Sequence, residues 1–412
     1  MEKISRVELF HVSIPLPKPF YPAWIPGYPS THSNMTLIQL TTTSGIKGIS
    51  AGYAMERERE GLGNLLGPYL IGLDATDIPL VKQRLREASY LGWRNVWIEA
   101  AFWDIKGKLE NQPVYKLLNP DSSTVDAIPV YCSTGEIHSH DQRRQELLKI
   151  KEMGFTGVKM RVHDFEMAKD IAHLELARKT LGDNFVIGVD ANQGWRVTII
   201  DDAPVWDLER ATAFAKACEA LDIAWLEEPL DMYAWDELGE LRARTKTKIA
   251  GGELNAGWHE MKVFFEKGSF DIYQPDATFS GGVTDCWRVA KECLQRDLDF
   301  SPHTWTSGVG FLINLHIHVA AGAKTLLEYP YEPPGWVPEA RDGILKGPIM
   351  IDRNGHVRVP QLPGLGIQLD EDKMKRYAVK FFEITEAGIA WQAIKTKGLF
   401  TALSLAKKKR KS

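Results

Sequence analysis

The sequence predicts an α/β protein, a (β/α)8 barrel preceded by a smaller α+β domain. Three observations predict it. Short apolar runs alternate with amphipathic stretches eight times over about 200 residues, the order of a parallel sheet wrapped by helices. The first 125 residues break that rhythm, with apolar–polar alternation followed by stretches apolar at i, i+3 and i+4. Ionisable residues end seven successive runs, where a barrel gathers its function.

Residues 1–125 read as one unit. "ISRVELFHVSIPL" and "NMTLIQLTTTSGIKGISAGYA" predict an antiparallel meander, while "GLGNLLGPYLIGL", "DIPLVKQRLREASY" and "NVWIEAAFWDIKGKLEN" predict helices. Residues 126–345 carry the barrel runs: "AIPVYCST", "FTGVKMRV", "FVIGVDAN", "IAWLEEP", "TKIAGGE", "FDIYQPDAT", "LDFSPHT" and "TLLEYPYE". Amphipathic segments such as "DQRRQELLKIKEMG" and "DLERATAFAKACEAL" lie between them, and the last helical link is the weakest. Residues 346–412 open with a further β piece, "GPIMIDRNGHVRVPQLPGLGIQLD", expected to return to the N-terminal domain.

A net charge of -4, with 44% hydrophobic and 25% charged residues, is ordinary for a soluble globular chain and argues against a nucleic-acid partner. The longest apolar stretch, near "FLINLHIHVAAGA", is too short and too polar to span a bilayer, so no membrane partner is expected. The N-terminus lacks the apolar run of a secretory signal. Cys132, Cys218, Cys286 and Cys293 show no CxxC spacing and are expected reduced in the core, as suits a cytoplasmic protein. The tail "AKKKRKS", Ala406 to Ser412, reads as a solvated, frayed end, with a nuclear-address or anion-tether role as the alternative.

Lys159 and Arg161 stand two apart in "GVKMRV", so they share one face of a strand. Two like charges on a buried face cost desolvation energy unless negative charge answers them. Asp190, Glu227, Glu253, Asp276, His303 and Glu328 end the next six runs. One strand-end carboxylate most often caps the following helix; a whole series is hard to assign to capping. Asp190, Glu227 and Glu253 come from three adjacent strands, and converging carboxylates need a cation. All-oxygen donors select a hard ion, Mg2+ before Mn2+. Asn192 shares a face with Asp190, and Glu228 either points to the other face or sits behind the metal ligands. Alone, His303 would read as a core histidine bonded to a backbone carbonyl.

"VDAN", "WLEEP", "GGE", "QPDAT", "SPHTW" and "LLEYP" together resemble the enolase superfamily, in its mandelate racemase group, over nearly the whole chain. The resemblance implies a modified TIM barrel beneath an N-terminal capping domain with lid loops. It implies metal ligation by Asp190, Glu227 and Glu253, and an Asp276–His303 dyad. Glu328 falls where the family places an acid that hydrogen-bonds the intermediate. The implied reaction removes the proton α to the carboxylate of a small-molecule substrate, through a metal-stabilised enediolate. The family also implies a homo-oligomer. Such a proton is a very weak acid, so the developing charge needs pre-placed positive charge; Lys159 and Arg161 then face a bound anion.

Racemases and lactonising enzymes of the family commonly show Lys-x-Lys where this chain has Lys159 and Arg161. A guanidinium, with a pKa above about 12, is a poor base at pH 7. That leaves His303 as principal base, its tautomer set by Asp276, and favours dehydration of a hydroxy or sugar acid. Racemisation, epimerisation or cycloisomerisation is the alternative, with Lys159 or Arg161 serving the other face. A catalytically silent, ligand-binding barrel is the third reading, and retention of every ligand and dyad position argues against it. In the loop "PLPKPFYPAWIPGYPSTHSN", Phe20, Tyr21, Trp24 and Tyr28 either pack between domains or form an aromatic lid. As a lid, Trp24 and Tyr21 join Asn192 as substrate contacts and favour a less polar or cyclic acid. Glu56, Arg57, Glu58 and Arg59 in "GYAMEREREG" are expected to touch hydroxyls or to pair in solvent.

Overall fold

β1 (Ile4–Phe20), β2 (Ser30–Thr42) and β3 (Lys47–Gly52) form the expected antiparallel meander. The structure is a computed structural model that describes residues 2–53, 56–92, 94–401 and 404. Both faces of the meander are buried. Val7, Leu9, Ile38 and Leu40 pack beneath the helices α1 (Glu56–Leu70), α2 (Ile78–Ser89) and α3 (Glu99–Leu109). Val12, Ile14, Met35, Leu37, Ile49 and Ala51 belong instead to the barrel core. Side chains alternate across a strand, so one sheet seals its own domain and docks that domain onto the barrel. The short α4 (Val114–Leu118) leads into the barrel.

The eight apolar runs become β4 (Ala127–Ser133), β5 (Gly157–Arg161), β6 (Val186–Asp190), β7 (Trp225–Glu227), β8 (Lys248–Gly251), β9 (Ile272–Tyr273), β10 (Asp299–Phe300) and β11 (Leu327–Pro330). They pair in parallel in the order β10-β9-β8-β7-β6-β5-β4-β11. Side chains bridge the seam between the two ends: Thr325 Oγ1 donates to the Phe300 carbonyl at 2.7 Å and Ser301 Oγ to the Leu326 carbonyl at 2.9 Å. Tyr131, Trp225, Ala250 and Ile272 fill the lower interior. A Cβ at Gly188 would lie 2.1 Å from the Trp225 ring, so glycine there makes room for the indole.

Seven helices wrap the strands: α5 (His140–Glu152), α6 (Met167–Leu181), α7 (Leu208–Ala220), α8 (Trp235–Arg244), α9 (Gly257–Lys267), α10 (Gly282–Arg296) and α11 (Gly308–Ala320). Every residue of α11 is buried, because it is wedged between barrel and capping domain and touches α4 and β3. That explains the apolar "FLINLHIHVAAGA": a helix enclosed on all sides is apolar all round. Between β11 and residue 355 only the four-residue α12 (Pro338–Arg341) forms, so among the described residues no full eighth helix closes the ring.

The C-terminal segment returns to the N-terminal domain as expected, where Leu365 N donates to Asp104 Oδ1 at 2.8 Å and Gly364 N to the Gln112 carbonyl at 2.9 Å. Its first β piece, β12 (His356–Arg358), instead pairs antiparallel with β4. Ala127 to Pro129 extend past the parallel partners of β4, and β12 satisfies the backbone groups left there. Beyond α13 (Glu371–Tyr377), it is β13 (Ala378–Thr385) that joins the capping sheet, along β1, before α14 (Glu386–Lys397). The basic tail from Ala406 lies outside the described residues, as do the side chains of Glu56, Arg57, Glu58 and Arg59. All four cysteines are free and buried. Among the described residues no helix is long and apolar enough to cross a membrane.

Candidate active site

The strand-end residues gather at the C-terminal mouth of the barrel. Lys159, fully buried on β5, places Nζ 2.5 Å from Glu227 Oε1, 2.8 Å from Glu328 Oε1 and 3.8 Å from Asp190 Oδ2. Burial opposes its charge, but Glu227 and Glu328 outweigh burial and hold its pKa above the ordinary lysine range. Arg161 lies on the same face. It donates from Nε to the Thr134 carbonyl at 2.8 Å and from Nη1 to Asp190. Its guanidinium lies against both Trp24 and Trp305, 5.1 and 5.4 Å from the ring centroids. Burial again opposes the charge, and Asp190, Glu227, Glu328 and Glu253 together more than offset it, so Arg161 is held above its usual value.

The dyad is formed. His303 Nδ1 lies 2.9 Å from Asp276 Oδ2. Asp276 Oδ1 accepts from Thr278 N at 2.7 Å, Thr278 Oγ1 at 2.8 Å and Asn314 Nδ2 at 2.9 Å. The other ring nitrogen, Nε2, is 3.3 Å from Glu253 Oε2. Burial pulls the His303 pKa down, but Glu253, Glu328 and Asp276 together push it up to about 10. A cation on Glu253 would cancel the largest of those upward pushes. Glu328 is buried yet held well below the carboxylate range, because Lys159 and His303 outweigh burial. Its Oε1 also accepts from Ser133 Oγ at 2.8 Å and its Oε2 from Thr304 N at 2.6 Å.

The three expected metal ligands share one mouth but face different partners. Glu227 Oε2 accepts from Trp225 Nε1 at 3.1 Å and Gln274 Nε2 at 2.8 Å. Asp190 accepts from Asn192 N at 2.7 Å as well as from Arg161. Glu253 is turned inward by Gly252, whose φ of +105° suits glycine, and its Oε1 accepts from Trp195 Nε1 at 3.1 Å. Among the described residues, the acidic and histidine groups that close to within 4.8 Å of one another are not these but His138, Glu146 and Glu332. Opposite charges explain the spread, since Lys159 and Arg161 draw Glu227 and Asp190 toward themselves.

The donor set nevertheless fits a hard divalent ion. Asp190, Glu227, Glu228, Glu253, Asp276 and Glu328 are six buried carboxylates, set against two permanent cations and one histidine. Glu228 Oε2 is buried with no hydrogen-bond partner. Burial, then Glu253, Asp190 and Glu227, push the Glu228 carboxyl well above its usual range. That is the signature of negative charge short of a cation.

Trp24 reaches the site through Arg161, and it also packs on Phe20 and Trp305. Asn192, at φ +48°, sets Oδ1 3.5 Å from Arg161 Nη1. Tyr21 does not follow them: the residue is 50% exposed, and it is its backbone N–H that is anchored, at 2.7 Å from Glu136 Oε1. A charged network missed in the sequence supports that anchor. His138 bonds Glu136 and Glu146, Arg143 pairs with Glu146 and Glu332, and Glu332 accepts from the amides of Gly135 and Glu136. The side-chain bonds to Glu136 and Glu146 outweigh burial and push His138 up to about 9, so its carboxylates are paired internally. Also missed were Gln274, Asn314 and Trp195. Only Trp195 left a signal: Asp190 and Glu227 are 37 positions apart, against 26 for Glu227 and Glu253, so an extra-long loop follows Asp190.

Residues 10–119 match the mandelate racemase / muconate lactonizing enzyme N-terminal domain, and residues 142–373 match the enolase C-terminal domain-like family. The chain belongs to the mandelate racemase group of the enolase superfamily. It is 26% identical over 386 residues to the L-talarate/galactarate dehydratase of Salmonella typhimurium, covering 90% of each chain. A solved structure of the dehydratase from strain LT2, holding Mg and L-lyxarohydroxamate, superposes with a TM-score of 0.79 at 25% identity, over 93% of this chain and 95% of that one. The 3,6-anhydro-D-galactonate cycloisomerase from Zobellia galactanivorans superposes with a TM-score of 0.76 at 26% identity, over 92% and 100%. The expected Mg2+-dependent lyase or isomerase class is borne out by these members of the group.

Proposed function

We propose that this member of the mandelate racemase group dehydrates a small hydroxy or sugar acid, with His303 as its single base. The carrying observation is the contrast between His303 and the two cations opposite. Lys159 and Arg161 are locked in ion pairs that hold their protons, whereas His303 is oriented by Asp276 and would lose the largest upward push on its pKa once a cation sat on Glu253. Asp190, Glu227 and Glu253 would hold Mg2+, which supplies positive charge for the substrate carboxylate. Lys159 and Arg161 add fixed charge to the same anion. His303 takes the α-proton and returns it to the β-hydroxyl, which leaves as water. The resulting enol becomes the 2-keto-3-deoxy acid. Glu328, Asn192 and Trp24 are read as substrate contacts.

The aromatic cluster of Phe20, Trp24, Trp305 and Trp336 beside Arg161 favours a second reading, cycloisomerisation of a cyclic, less polar acid. Four buried free cysteines support a cytoplasmic setting. The family resemblance carries the expectation of a homo-oligomer, and the net charge of -4 speaks against nucleic acid. The test is a screen of acid sugars and cyclic sugar acids with Mg2+, followed by exchange in D2O. Exchange at one configuration with release of a keto acid is expected. Comparable exchange of both configurations would mean that Lys159 or Arg161 acts as a second base and would displace dehydration in favour of epimerisation.

A further inference from the structure

Trp195 stands at the start of the long loop between β6 and α7. That loop is braced within itself and against the loop after β7. Trp206 N donates to Gln193 Oε1 at 2.9 Å, Met232 N to the Gly194 carbonyl at 2.9 Å, and Arg196 pairs with Asp202 and the Ala203 carbonyl. Its far side rests on the lid loop, residues 21–29, where Asp201 N donates to the Pro26 carbonyl at 3.2 Å. The contact is close: a Cβ on Gly27, at φ +73°, would lie 2.3 Å from Asp201 Oδ2 and 3.0 Å from Ile200 Cγ2. On its near side the loop delivers the Trp195 indole N–H to Glu253 Oε1. One rigid segment therefore touches the lid at one end and a carboxylate of the site at the other.

We propose that Trp195 is a positioning residue that makes the orientation of Glu253, and with it cation affinity, depend on the lid being seated. Glu253 has two oxygens. His303 faces one and Trp195 holds the other, so loss of the indole donor frees the carboxylate to turn. Groups that orient a metal ligand typically govern 10–100-fold in metal affinity. When the lid loop is seated on Ile200 and Asp201, the loop is held and Glu253 is fixed; when it lifts, the hold loosens. The inference rests on the reading of Glu253 as a metal ligand.

Mn2+ binding to the purified full chain, by calorimetry and by the spectrum of the bound ion, tests it without turnover. Trp195→Phe keeps the ring and removes the donor. It is expected to weaken Mn2+ binding about 10–100-fold and to alter the bound-ion spectrum, at an unchanged melting temperature. Gly27→Val pries the two loops apart and is expected to weaken binding in the parent chain but not further in Trp195→Phe, which a double-mutant cycle reads as coupling. Parent-like affinity in Trp195→Phe, or an equal Gly27→Val effect in both backgrounds, overturns the proposal. A parent chain that binds no Mn2+ or Mg2+ overturns the metal-site reading itself, and the two failures are thereby distinguished.

Discussion

Asp276→Asn isolates the part of the site that sets proton transfer. An asparagine offers one acceptor end and one donor end. At the Oδ1 position it meets the Thr278 amide at 2.7 Å and the Asn314 side-chain amide at 2.9 Å. Asn314 cannot turn over, because its own Oδ1 accepts from Ala277 N at 3.0 Å. The new amide oxygen must therefore take the Oδ1 place; the reverse orientation would leave buried donors unpaired, at about 1–3 kcal/mol each. Its NH2 then faces His303 Nδ1, 2.9 Å away in the parent. Two donors cannot face each other, so the His303 proton moves to Nε2, the nitrogen that must receive the α-proton. In a Ser-His-Asp triad the same substitution leaves the geometry intact and costs about 10^4 in kcat, or roughly 5.4 kcal/mol of transition-state stabilisation. A loss of that order is expected here, in turnover and in α-proton exchange alike, with circular dichroism and melting temperature little changed. A well-folded variant within about tenfold of the parent would show that Asp276 does not set the tautomer, or that His303 is not the base.

Chelation should abolish activity and Mg2+ restore it, with elemental analysis showing the metal lost and regained. Glu253→Gln should lose metal affinity without unfolding the barrel, because the removed charge repels its neighbours in the metal-free chain; a collapsed melting temperature would contradict this. Gly188→Ala drives a methyl into the Trp225 ring, and urea titration should show a loss of about 1–3 kcal/mol. Glu99, buried where α3 meets the start of α10, has its carboxyl pushed up from 4.5 to about 7 by burial, against the hydrogen bonds from Thr284 and Trp103. The folded state then keeps this proton longer than the unfolded chain does. Stability should fall as pH rises from 4.5 to about 7, by at most about 1.4 kcal/mol per unit. Glu99→Gln should flatten that slope in urea melts across the range, and an unchanged slope would exonerate Glu99.

The barrel and its chemistry were legible because their signals are local. Side chains on a strand repeat every two residues, so "GVKMRV" by itself places Lys159 and Arg161 on one face, and "VDAN", "WLEEP" and "GGE" fix which carboxylates end their strands. Neighbouring strands share a mouth by virtue of the fold, which brings Asp276 to His303 across 27 positions. Arg161 in place of a second lysine was already enough to point toward a single base. The tertiary structure decided what depends on distant segments meeting. β12 lies on β4 because that strand extends past its neighbours, a matter of relative strand length that no short motif carries. Tyr21 and Trp24, three residues apart, part company because the packing around Phe20 and Trp305 admits one ring and leaves the other half-exposed. Trp195 reaches Glu253 across 58 positions, and its loop meets the lid at Pro26, through contacts that neither segment encodes alone. Sequence determined which groups face the mouth, since the pleat repeats with a short period. Which partner each group takes was left to tertiary packing, since a hydrogen bond needs both ends in place and the chain between them has no period to read.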